Sequence, residues 1–195
     1  MREAEIKNYE KLNDLAEQGG IVIFGSGSDK DIPIGEIREA FAVESKIYNR
    51  SFDNLSVAEA VGLYKKVIAH LTPETVMIHI GEADLTIFAE NPTEFDNKYL
   101  ELITVIKAQN KKCRIAVVSL KNYDDEPQIA ELNKHLKFIA DSEQCEYSDI
   151  ASKKLWNPKS TMDAVSFVYS TGFVRPLKNK RPLHDLVRMF FCLEL

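Results

Sequence analysis

Paired cysteines are missing from this chain. Its three, Cys113, Cys145 and Cys192, are widely spaced, form no Cys-x-x-Cys motif and have no histidine at ligand spacing. Neither a disulfide framework nor a metal site is expected, and the thiols read as reduced and semi-buried. An excess of positive charge is missing too. Lys and Arg number 25 against 30 Asp and Glu, a formal net charge of −5, which leaves no broad basic face for DNA or RNA. No apolar run reaches membrane-spanning length, and the opening segment MREAEIKNYEKLNDLAEQGG is charged and helical in pattern, without a signal-peptide core. The expectation is a cytoplasmic protein that engages no membrane. Repeats, low-complexity tracts and linker-like stretches are also lacking, so residues 1–195, with 45% apolar content, are expected to form one domain around one sizeable core.

What the chain does have is a regular alternation of two kinds of segment. Short apolar runs at Ile21–Phe24, Lys46–Asn49, Thr75–Ile80 and Arg114–Ser119, with a weaker one at Glu146–Ser148, read as strands. Amphipathic stretches at Gly35–Phe41, Ser56–Leu71, Pro92–Gln109 and Pro127–Ser142 separate them; in the third, Phe95, Tyr99, Leu102, Ile103 and Ile106 recur at helical spacing and read as core. Strands alternating with helices predict a parallel sheet covered by helices on both faces. The segment from Ala151 onward is less regular. STMDAVSFVYSTGFVRPL suits a strand or an extended flap, and LHDLVRMFFCLEL suits a C-terminal helix.

In such a sheet the ligand lies beyond the carboxyl ends of the strands, so the loops there carry the function. IVIFGSGSDK, residues 21–30, runs from a buried strand into Gly25-Ser26-Gly27-Ser28. Two glycines after a first strand begin a dinucleotide fingerprint, but Lys30 stands where its third glycine belongs. Asn49-Arg50 follows the second strand where a ribose would need an acid, and the Walker pattern is absent. No cofactor is expected. His70, His79 and His135 fall within helix or strand patterns and read as packed or surface histidines.

Taken in order, IVIFGSGSD, IYNRSFDN, VMIHIGEADL, RIAVVSL, LNKHLKFIA, YSDI and RPLHDL span nearly the whole chain, and their layout resembles the SGNH, or GDSL-type, hydrolases. The resemblance implies a three-layer α/β/α, flavodoxin-like fold around a five-stranded parallel sheet in the order 2-1-3-4-5, and acyl-ester cleavage by a serine nucleophile, with a His base held by an Asp three residues before it. A Ser amide, a Gly amide and an Asn side chain would hold the oxyanion. Each block departs from the family pattern. Gly25, Ser26 and Gly27 fall on Gly-Asp-Ser, so the nucleophile's place is a glycine, with Ser28 one residue beyond and Ser26 one before. Asn49-Arg50-Ser51 falls on Asn-Arg-Gly, Gly81-Glu82-Ala83-Asp84 on Gly-x-Asn-Asp, and Arg181-Pro182-Leu183-His184 on Asp-x-x-His. Ala83 therefore lacks the side-chain donor, Arg181 replaces the carboxylate behind His184, and Asp84 reads as a structural acceptor. Arg181, Arg50, Glu82 and Asp84 are expected at the pocket mouth, with Arg181 paired to Glu82. Two readings stay open: a protein with weak, altered or lost ester chemistry and a cleft for a small polar ligand, or an active acyl or acetyl esterase using Ser28 or Ser26 with His184. The oligomeric state is not legible.

Overall fold

The computed structural model describes residues 2–40, 43–122 and 125–151. Five parallel strands form one sheet in the order β2-β1-β3-β4-β5: β1 is Ile21–Gly25, β2 Ile47–Asn49, β3 Thr75–His79, β4 Arg114–Val118 and β5 Glu146–Ser148. All five β1 residues are buried, as expected of a strand covered on both faces, whose side chains must be apolar in both directions. Register aligns Ile21 with Thr75 and continues until Gly25 stands beside His79. The last residues of the two central strands therefore lie next to each other.

Six helices surround the sheet among the described residues: α1 (Arg2–Asn13), α2 (Ile34–Ala40), α3 (Val57–Leu63), α4 (Leu85–Glu90), α5 (Pro92–Gln109) and α6 (Pro127–Ser142). Proline opens both α5 and α6, at the position where its missing N–H costs nothing. Asn91 caps α5 by accepting from the Glu94 amide at 3.2 Å. Alternate strand residues face opposite layers. Val22, Phe24, Val76, Ile78, Ile115 and Val117 pack with α3, α5 and α6 in the larger cluster, while Ile21, Ile23, Met77, Ala116 and Val118 face α2 through Ile37.

The strand order and the bounds of α5, α6 and β5 agree with the sequence reading, with two corrections among the helices. Ser56–Leu71 is not one α-helix. After α3 the chain passes into a π-helical turn, Tyr64–Ile68, and a 3-10 turn, Ala69–Leu71, that ends at Thr72 with φ 44°. Hydrophobic spacing does not distinguish these helical forms over so few residues. The sequence reading also passed over α4, a six-residue helix too short to show a period. The expected flap and C-terminal helix lie outside the described residues, as does Cys192. Cys113 and Cys145 are half-buried free thiols, and burial pushes Cys113 up to about 12. No helix among the described residues is long and apolar enough to cross a membrane.

Candidate functional site

Three loops meet at the carboxyl ends of β1, β2 and β3. The first two are joined by backbone and side-chain hydrogen bonds. Gly25 N–H donates to Ser51 Oγ at 3.0 Å, Phe52 N–H donates to the Gly25 carbonyl at 3.1 Å, and Gly27 N–H donates to the Phe52 carbonyl at 3.2 Å. The third loop brings Gly81, Glu82 and Ala83. A Cβ built on Gly27 would lie 3.7 Å from Glu82 Oε2, so the carboxylate stands over Gly27. Gly27 has φ +58°, a left-handed conformation that a serine adopts at a cost of about 1 kcal/mol.

The candidate side chains have mostly structural partners. Ser26 is buried and its Oγ accepts from the Leu55 amide at 2.9 Å. Ser51 is fully buried; its amide donates to Asn49 Oδ1 at 3.0 Å, and Asn49 Nδ2 donates to the Asp29 carbonyl at 2.6 Å. Asp84, also buried, accepts from the Val57 amide through both oxygens, at 3.1 and 3.0 Å. That carboxylate ties down the first turn of α3, and burial raises it to about 6. Ser28 belongs to a short 3-10 turn, Gly27–Asp31. The Ser28 side chain, Arg181 and His184 lie outside the described residues, and with them the expected Arg181–Glu82 pair.

Arg50 requires a correction, because it is buried against α1 rather than standing at the pocket mouth. Its Nε and Nη2 donate to Asn13 Oδ1 at 2.9 and 2.7 Å. Its guanidinium lies 5.2 Å from the Tyr9 ring centre and 5.5 Å from that of Tyr48. Stacking and amide contacts take the place of a carboxylate partner, and burial lowers its pKa.

One pair at the cleft was not anticipated. Asp29 Oδ2 lies 2.8 Å from His79 Nδ1, with side chains only 6% and 12% exposed, and the same oxygen accepts from the Ser26 amide at 3.2 Å. The pair fits because residue 25 is glycine. A Cβ there would fall 1.9 Å from Asp29 Oδ2. A signal for half of this was present in the sequence: Ser26-x-x-Asp29 is a helix-start pattern in which the acid reaches back to the first residue's amide. Nothing local points to His79, which sits 50 residues away and arrives through strand register.

The architecture is that of a doubly wound α/β protein whose cleft lies at the carboxyl edge of its central strands. Solved structures narrow this to the SGNH (GDSL-type) hydrolase fold. A protein from Streptococcus pneumonia named for platelet activating factor is 16% identical, with a TM-score of 0.66 over 88% of this chain and 92% of its own. A GDSL-like lipase from Bacteroides thetaiotaomicron is 16% identical, with a TM-score of 0.55 over 88% and 98%. The psychrotrophic esterase EstA from Pseudoalteromonas sp. is 12% identical, with a TM-score of 0.56 over 79% and 94%. No protein-family profile matches the chain, and no curated protein does.

Proposed function

We propose that this is an SGNH-hydrolase-like protein whose cleft takes a small polar ligand or acyl ester, and whose chemistry does not run through the family's serine and tail histidine. The observation that supports this reading is the state of the three oxyanion positions. The Gly27 amide donates to the Phe52 carbonyl, the Ser51 amide donates to Asn49 Oδ1, and Ala83 has no side-chain donor. Losing one such donor costs a working hydrolase about a hundred- to a thousand-fold in turnover. Here all three are engaged or missing. The glycine at the nucleophile's place and Arg181 at the orienting carboxylate's place act in the same direction.

The test uses the full chain with p-nitrophenyl acetate and a fluorophosphonate probe. The wild type is expected to hydrolyse the ester no faster than His184→Ala, with every serine unlabelled by mass spectrometry. Stoichiometric labelling of Ser26 or Ser28, with hydrolysis abolished in His184→Ala, overturns the proposal and restores the ordinary esterase reading.

A further inference from the structure

The segment that covers the Gly27 amide is held from outside the sheet. Residues 50–54 carry the Phe52 carbonyl that accepts from Gly27, and three side chains of α1 bind this segment. Tyr9 donates its hydroxyl to the Ser51 carbonyl. Arg2 donates to the Asp53 carbonyl at 2.7 Å and to the Asn54 carbonyl at 3.2 Å. Glu5 Oε1 accepts from the Asp53 amide at 3.3 Å and from Lys30 Nζ at 3.0 Å. Lys30 lies in the 3-10 turn that starts at Gly27 and also reaches Asp53 Oδ2 at 2.5 Å, so one ammonium ties α1 to both cleft loops. Phe52 is fully buried, and among the described residues the rings that meet it edge-on are Phe24 of β1 and Tyr9 of α1. The helix itself buries little: Ile6 and Tyr9 are only partly buried, and Leu12 is 51% exposed.

We propose that α1 is a strap that keeps the Gly27 amide covered: the helix and residues 50–54 open as one unit, and that opening frees the amide to donate to a ligand. The inference goes beyond the reading of the cleft given above and stands whether or not an ester is cleaved there. Segments open locally at a free energy set by what they bury. The central strands are buried almost throughout, over Ile21–Gly25 and Thr75–Ile78, and open only with the whole molecule. The strap is attached through charges instead. Side-chain exposure is 15% for Glu5, 26% for Arg2, 28% for Lys30 and 57% for Asp53, which leaves the network within reach of salt. At 1 M salt the screening length falls to about 3 Å, the length of the contacts themselves. With Tyr9 and Arg2 withdrawn, the carbonyls of Ser51, Asp53 and Asn54 lose these donors and Phe52 loses a flanking ring.

The test is amide hydrogen exchange of the full chain, followed residue by residue by NMR. The Gly27 and Phe52 amides of the wild type are expected to share the protection of the hydrogen-bonded amides of α1, below that of β3. Raising sodium chloride from about 0.05 M to about 1 M should speed exchange at Gly27, Phe52 and α1 together and leave β3 unchanged. That series needs no variant to fold. Glu5→Gln weakens the link between α1, Lys30 and the Asp53 amide, and is expected to speed the same groups about 10-fold. Glu101→Gln, which breaks the exposed pair with Lys98 on α5, should leave them unchanged. Gly27 and Phe52 amides that keep the protection of β3 at every salt concentration overturn the strap, as do α1 amides that exchange while Gly27 and Phe52 stay protected. Serine labelling sinks the reading of the cleft and leaves the strap standing, whereas uncoupled exchange sinks the strap alone.

Discussion

Asp84 illustrates how a single carboxylate is used here. It holds the Val57 amide at the start of α3 while lying almost wholly out of solvent, and burial raises its pKa from the ordinary 3.8 to about 6. The folded state therefore binds a proton more readily than the unfolded chain between those values. Stability from this group is present below about pH 4 and is lost as pH rises to about 6, where the buried charge must form. Every pH unit between the two values is worth about 1.4 kcal/mol, so the loss is about 2 to 3 kcal/mol. Asp84→Asn keeps an oxygen for the Val57 amide and removes the charge. Urea denaturation across the range from acid to neutral pH is expected to show the variant stabilised relative to wild type at neutral pH, with the difference shrinking as the solution is acidified. A variant destabilised equally at every pH would mean the ionised carboxylate is itself the better cap.

At the scale of elements, α1 is held to the molecule by polar contacts, because its sequence REAEIKNYEKLN has little apolar surface to bury and its one buried residue is Asn13. Asn13 Nδ2 donates to the Val67 carbonyl at 2.8 Å while its Oδ1 accepts from Arg50. Tyr9 donates to the Ser51 carbonyl, and Lys30 bridges Glu5 and Asp53 at 3.0 and 2.5 Å. The helix thus touches both the first and second cleft loops. A lysine at position 50 loses the paired bonds to Asn13 and the flat stacking between Tyr9 and Tyr48, so Arg50→Lys is expected to destabilise the protein by about 2 kcal/mol. Hydrogen exchange should rise across residues 2–13 more than in the central strands. Uniform exchange across the chain would contradict α1 as the element that Arg50 holds.

For the molecule as a whole, the two faces of the sheet carry different shares of the core among the described residues. α3, α5 and α6 bury a continuous cluster with Phe95, Tyr99, Leu102 and Leu136, while Ile37 of α2 and Val43 beyond it join a smaller one. Truncation should follow that difference. Leu102→Ala, in the larger cluster, is expected to cost about 3 to 4 kcal/mol, and Ile37→Ala about 2 kcal/mol, since a cavity costs most where the surroundings cannot collapse into it. Chemical denaturation midpoints check the order, and a larger loss for Ile37→Ala would reverse the assignment.

The alternation of apolar runs and amphipathic stretches by itself determined the strands and four of the surrounding helices, because period and turn chemistry are local properties written into neighbouring residues; the sheet order followed from the order of the loop blocks along the chain. The loops that gather at the carboxyl edge follow from the same parallel arrangement, and Asp84 as a structural acceptor was read from its place in the block Gly81-Glu82-Ala83-Asp84. Tertiary structure alone decided what the cleft contains. Arg50 looked like a mouth residue in the string Asn49-Arg50-Ser51, yet the backbone turns it toward Asn13, 37 residues away. His79 looked like one more residue of an apolar strand, and only parallel register with β1, together with a glycine at position 25, brings it to Asp29. The serine and glycine amides were legible as donors. The Ser51 amide is engaged locally, by Asn49 two residues before it, but that the Gly27 amide is taken by Phe52 became visible once the first two loops were joined in space, since a hydrogen bond between distant segments leaves no trace in the spacing of either.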